Sequence, residues 1–213
     1  LQAYNFRLIA TQNPALRAAA AKPDGYDRSA FTDLLPMLTD GRIKTVFGHV
    51  NCVFRATPQG GLPNGKFDLN DVSHGTVRLS LPGENLGWPD GDAATRTKIL
   101  RRHLNYQTGL LWFLQHDEAV PEKLREEALS WGWCRDEFTD HGHLPWQLYV
   151  REARRMAGRT VFTERDVDPA PGDARAVFHA DSIAMGDYGP NCHGTAHEGP
   201  FYGGRHTGEF YKH

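Results

Sequence analysis

Residues 93–115 constrain this chain most. After the start signal Asp90-Gly91-Asp92, the residues Ile99, Leu100, His103, Leu104, Gln107, Leu110, Leu111 and Leu114 recur at helical spacing. That spacing predicts a long amphipathic helix whose apolar face needs a packed partner. A second helix is expected over 121–131, with Pro121 and acidic residues in its first turn and Gly132 after its end. A third is expected over 146–156, ended by Gly158. Its arginines Arg151 and Arg155 would share one face, with Arg154 rotated away by about 60°. Earlier in the chain, Asp27-Arg28-Ser29 reads as a cap for a short helix carrying Phe31, Leu34, Leu35 and Leu38, limited or bent by Pro36.

Strand-like patterning appears over 3–10, 45–55, 159–163 and 177–183. The expected fold class is therefore mixed α/β (α+β), with a mostly helical second half. The opening strand has no preceding turn or cap, which suggests sheet neighbours upstream, and the chain starts with Leu1 rather than Met. Residues 59–92 are rich in Gly, Pro, Asn and Asp, with a tight turn at Asn64-Gly65-Lys66. So long a stretch inside a packed domain is expected to be functional or pinned by side chains.

Composition narrows the partners. The net charge is −2, and the basic clusters at 101–102 and 151–159 are interrupted by apolar and acidic residues, which points away from nucleic acid and toward helix faces. There is no apolar run of about 18 residues, hence no membrane span is expected. Cys52, Cys134 and Cys192 form neither a CxxC pair nor an even set, and read as free thiols.

Known catalytic signatures are missing from the sequence. It contains no GxGxxG, no GxxxxGK[ST], no GxSxG and no HExxH. What remains are candidates for polar roles. His141 and His143 sit on one turn, and His193, His197 and His206 lie in a glycine-rich tail with Asp187 and Glu198 nearby. These imidazoles suit hydrogen bonding, a pocket wall or, as an alternative, a metal-dependent hydrolase built on His141, His143, His193 and His197. The arginines of 151–155 suit a carboxylate, a pyrophosphate or a salt-bridged face with Glu152. Cys192-His193 makes a poor nucleophile–base pair, because adjacent side chains rarely face each other.

The block Trp131-Gly-Trp-Cys-Arg-Asp-Glu-Phe, followed by Gln147-Leu-Tyr-Val-Arg-Glu-Ala-Arg-Arg-Met and Thr163-Glu164, resembles the FAD-dependent oxidoreductase family of bacterial flavoproteins. Three further segments fit in order: Ala3-Tyr-Asn-Phe-Arg7, Pro63-Asn-Gly-Lys-Phe-Asp-Leu-Asn70 and Asp181-Ser-Ile-Ala-Met-Gly186. The loop 187–193 and the glycine-rich run 194–208 depart from the family's usual sequence. The resemblance implies FAD as cofactor and a chain, 1–213, that is the substrate-facing portion of a larger flavoprotein. The dinucleotide-binding segment and the closing flavin contacts would lie outside it, in the same protein or a partner chain. It implies a bacterial protein, cytoplasmic or exported, acting on a small polar molecule such as a sugar derivative. His193 would exchange a proton as hydride moves, and Arg151 would hold an anionic group. The alternative reading is a non-catalytic binding or structural subunit derived from the same scaffold.

Overall fold

The computed structural model describes residues 1–56, 61–71, 75–186, 191–195 and 210–211. The chain begins with an extended segment that leads into strand β1 (Leu8–Thr11) and then β2 (Arg17–Ala18). A 3-10 turn over Arg28–Leu34 runs into helix α1 (Leu35–Thr39), where Pro36 occupies the first turn, the one place a helix tolerates it. The Asp27 carboxylate caps this turn by accepting from the Ser29 N–H at 2.9 Å, as its sequence predicts. The strand expected over 45–55 is two strands, β3 (Thr45–Gly48) and β4 (Cys52–Arg55). The connection through Asn51, at φ 52°, loops round so that the two strands pair parallel and Phe47 stacks on Phe54 with centroids 5.0 Å apart.

The stretch expected to be a loop contains part of the sheet. Strands β5 (Gly61–Leu62) and β6 (Lys66–Leu69) flank the predicted tight turn, with Asn64 at φ 65° and Gly65 at φ 71°. Helices α2 (Ala93–His116) and α3 (Glu122–Leu129) follow, then β7 (Gly132–Cys134). Far along the chain, β8 (Asn191–Cys192) pairs antiparallel with β9 (Phe210–Tyr211).

Five strands form one antiparallel sheet in the order β2-β7-β1-β6-β5. Strand β1 is central: Leu8 faces Leu69 on one side, and Ala10 faces Trp133 on the other. Its neighbours are therefore downstream segments, 66–69 and 132–134, rather than upstream ones. Both edge strands are two residues long, which leaves little edge open to another chain. Strand β7 begins at Gly132, which had been read only as a helix stop. A Cβ there would stand 2.2 Å from the Ala18 carbonyl oxygen, so only glycine allows β2 and β7 to meet.

Helix α2 confirms the predicted periodicity. Asp92 caps it by accepting from the Thr95 N–H at 2.8 Å, and Ile99, His103, Tyr106, Leu110, Leu111, Phe113 and Leu114 are buried. Apart from His103, these residues join Phe6, Leu8, Phe31, Phe54, Leu69, Trp133 and Leu148 in one hydrophobic cluster. The polar members of the buried face bond to backbone. Gln107 Oε1 accepts from the Phe6 N–H at 2.7 Å and its Nε2 donates to the Phe6 carbonyl at 3.2 Å. Gln115 Nε2 donates to the carbonyls of Ala128 and Trp131 at 2.9 and 3.1 Å, tying α2 to the end of α3. Glu127 of α3 accepts from the N–H groups of Val46 and Phe47 at 2.9 and 3.0 Å, and Phe47 stacks on Trp131 at 4.1 Å.

The helix expected over 146–156 is not formed. The Tyr149 N–H donates to the Asn5 carbonyl at 2.9 Å, across the chain rather than one turn back, and the segment runs extended. Its propensity is outweighed by the need of residues 2–5 for partners. Nor are 159–163 and 177–183 strands; beyond Leu129, the described residues contain only short strands and a 3-10 turn over Glu164–Asp166. Met156, Val161, Phe162, Phe178, Ile183 and Met185 are exposed, Phe162 the least of them at 72%.

Two outcomes follow from α2. Replacing Gln107 with Leu leaves the Phe6 N–H buried without an acceptor. It is expected to lower unfolding stability by on the order of 1–3 kcal/mol, read from denaturant midpoints. His103 is buried with Nδ1–H donating to the Ile99 carbonyl at 2.8 Å, and burial pushes its pKa below the ordinary 6.5. The unfolded chain thus takes up this proton more readily, so stability present above about 6.5 is lost as pH falls below it. Denaturation measured at about pH 7.5 and about pH 5 should show a smaller acid-side loss in His103→Leu than in the wild type.

Candidate functional site

Residues 1–6 enter the core as extended chain, and Ala3, Tyr4, Asn5 and Phe6 are fully buried. Extended backbone inside a protein must find partners for each N–H and C=O group. Segment 149–152 supplies one set. Arg151 Nε donates to the Ala3 carbonyl at 3.0 Å and its guanidinium also donates to Asn5 Oδ1. Glu152 accepts from the Gln2 N–H at 2.9 Å and from Gln2 Nε2 at 3.1 Å, while its carbonyl takes the Tyr4 hydroxyl. Segment 193–194 supplies another. The Ala3 N–H donates to the Gly194 carbonyl at 2.8 Å, and the His193 N–H donates to Gln2 Oε1 at 2.9 Å. Asn85 Nδ2 closes the set by donating to the Gln2 carbonyl at 2.7 Å.

The structure thus brings His193 and Arg151 to the same short segment through separate bonds. Arg151 lies on extended chain, not on a helix, with its guanidinium 4.6 Å over the Tyr149 ring. Arg154 and Arg155 point elsewhere, Arg154 to Asp90 at 2.9 Å and Arg155 to Glu152 at 3.5 Å, so no arginine fork forms on a common face.

A buried polar cluster stands behind His193. Its Nδ1 is 3.5 Å from Asp71 Oδ2, and both side chains are under one-tenth exposed, 8% and 2%. Asp71 Oδ1 accepts from the Leu79 N–H at 2.8 Å. Burial alone would raise the Asp71 carboxyl, but His193, Ser80 and the Leu79 N–H outweigh it and hold it below the ordinary carboxylate range. Ser80 is buried beside it, and the buried Arg78 guanidinium packs against Gly194. The sequence offered no marker for Asp71, Arg78 or Ser80. They fall in the glycine- and proline-rich stretch, and only its unusual length hinted that side chains pin it.

His141 and His143 serve local structure. His141 stacks on Trp146 at 4.2 Å and its Nδ1 contacts the Leu144 carbonyl, while His143 Nδ1 contacts the Glu137 carbonyl at 3.2 Å. His197, His206, Asp187 and Glu198 lie outside the described residues. Among the described residues, no three His, Cys, Asp or Glu side chains gather as a metal set. Cys52, Cys134 and Cys192 are free thiols, and burial pushes Cys134 up to about 11. Cys192 Sγ donates to the carbonyl of His193 at 3.3 Å, not to its ring.

Residues 1–212 match the FAD dependent oxidoreductase family. The chain belongs to that family. No curated protein and no solved structure matches it. Membership makes it a flavoprotein oxidoreductase by kind, and the described residues contain no helix long and apolar enough to cross a membrane. Family chemistry calls for FAD, whose pyrophosphate favours a helix N-terminus rich in free N–H groups. The long helices do not offer one. Helix α2 begins at Asp92, with its carboxylate on the Thr95 N–H and Asp90 nearby, and α3 begins with Pro121 and Glu122. Neither of these two helix starts fits the pyrophosphate.

The site's tightest contact gives a direct check. A Cβ on Gly194 would stand 1.5 Å from an Arg78 nitrogen that is itself buried. Gly194→Ala should therefore displace Arg78 or the 193–194 backbone and cost on the order of 1–3 kcal/mol of stability, measured by thermal and denaturant unfolding.

Proposed function

We propose that this chain is the substrate-facing portion of a flavoprotein oxidoreductase that acts on a small polar substrate, with His193 as its proton-handling group. The observation that carries the reading is the imidazole of His193, held against the buried Asp71 carboxylate and anchored to the core through Gln2. An imidazole so held can take or return a proton, as oxidation or reduction of a hydroxyl or carbonyl demands. Arg151 takes a positioning role in this reading. Its bonds to Ala3 and Asn5 fix the segment on which the His193 backbone rests. Flavin, when bound, supplies the two-electron chemistry.

The reading also gives a use to the exposed apolar side chains between Met156 and Met185. Exposed apolar surface of this kind commonly marks an interaction face. In this proposal, it packs against the remaining flavin-binding portion, in the same protein or in a partner chain.

The test uses the flavin-loaded assembly and a panel of small hydroxylated substrates, following loss of visible flavin absorbance without oxygen. His193→Asn should slow reduction by about 10²- to 10⁴-fold, the usual contribution of one general acid or base. An assembly that takes up no flavin would overturn the proposal in favour of a binding or structural subunit. Wild-type reduction rates in His193→Asn would remove His193 from the chemistry.

A further inference from the structure

The contact between His193 and Asp71 contains more information than a charge pair. Nδ1 of His193 and Oδ2 of Asp71 are both buried; among the described residues neither atom has a hydrogen-bond partner, and the Ser80 hydroxyl is the other polar group beside the carboxylate. A neutral imidazole has one N–H nitrogen and one lone-pair nitrogen. If Nδ1 carried the lone pair, it would face a buried carboxylate oxygen, acceptor against acceptor. If Nδ1 carries the hydrogen, both buried atoms are satisfied by a slight shortening of the 3.5 Å gap. The carboxylate cannot swing away easily, because its other oxygen holds the Leu79 N–H at 2.8 Å. The imidazole is fixed from its own side by the His193 N–H on Gln2 and by Gly194, clamped between Ala3 and Arg78. The ring's other nitrogen, Nε2, then carries the lone pair.

We infer that Asp71 is a positioning residue, locking His193 as the Nδ1–H tautomer and so leaving the lone pair on Nε2 as the one that can act on a substrate. This rests on the reading of His193 as the proton-handling group and deepens it. A lone pair at Nε2 selects substrates that present a removable proton, an alcohol O–H above all. In that step, the O–H bond breaks, an N–H bond forms at Nε2, and the oxygen keeps the electron pair. The imidazolium that results sits against the Asp71 carboxylate, its nearest charge. Arg78, behind Gly194, is the cationic neighbour and opposes a second positive charge. Asp71 meets neither substrate nor flavin in this arrangement.

The tautomer can be read directly. In protein labelled with ¹⁵N in its histidine rings, two-bond nitrogen–hydrogen correlation spectra distinguish protonated from lone-pair nitrogens. At a pH well above the ordinary histidine value of about 6.5, wild-type His193 should show a protonated Nδ1 and a lone-pair Nε2. Asp71→Asn keeps the side chain's shape but can turn an amide N–H toward the ring, and should shift His193 toward the opposite tautomer. A wild-type ring protonated on Nε2, or a pattern unchanged in Asp71→Asn, would overturn the inference. The wild-type spectrum decides even where a variant fails to fold. It is also independent of turnover: full flavin reduction by His193→Asn would remove the proton-handling role while the tautomer result stood.

Discussion

The structure depends on a short piece of extended backbone, residues 1–6, placed inside the protein. Backbone amides removed from water must be paired, and a lone strand cannot pair with itself. Residues 2–6 obtain their partners from across the whole chain: Asn85, Gln107, Tyr149, Arg151, Glu152 and Gly194. Each is distant in sequence, so closing the fold and assembling the region around His193 are one event. A buried glutamine on α2 and extended chain at 149–152 both follow from this single requirement.

The same constraint explains what was legible in the sequence. Helix α2 was readable because its periodicity and its Asp92 cap are local signals that agree with the tertiary packing. The Asp27 cap and the Asn64-Gly65 turn were readable for the same reason. The segment 146–156 has helical composition, but its hydrogen-bonding groups are committed to residues 2–5, a fact no local window contains. Strand β6 was hidden because only four residues of a loop-like stretch pair with β1. Asp71 and Ser80 were hidden because a carboxylate in such a stretch reads as surface until folding places a histidine from residue 193 against it. Of the two site residues named from sequence, both reach the N-terminal segment. Arg151 arrives with its guanidinium bonded to backbone, and His193 arrives with a buried carboxylate behind it.

The family assignment and the geometry support each other at different levels. Membership in the FAD dependent oxidoreductase family gives the kind of chemistry, and neither long helix start offers a pyrophosphate cradle. A division of labour follows within the proposed function, with this chain handling substrate and proton and a separate portion holding the dinucleotide. In that proposal, the exposed apolar side chains between 156 and 185 form the face between them.

The burial and pairing of residues 1–6 is the central claim, and amide hydrogen exchange tests it most directly. The Ala3 N–H donates to Gly194 and the Phe6 N–H to Gln107, both inside the core. These two amides should exchange as slowly as those in the middle of α2, opening only with the larger unfolding of the domain. Exchange at the rate of a frayed terminus would mean that the segment is not held in the core, and the site built upon it would fall with it.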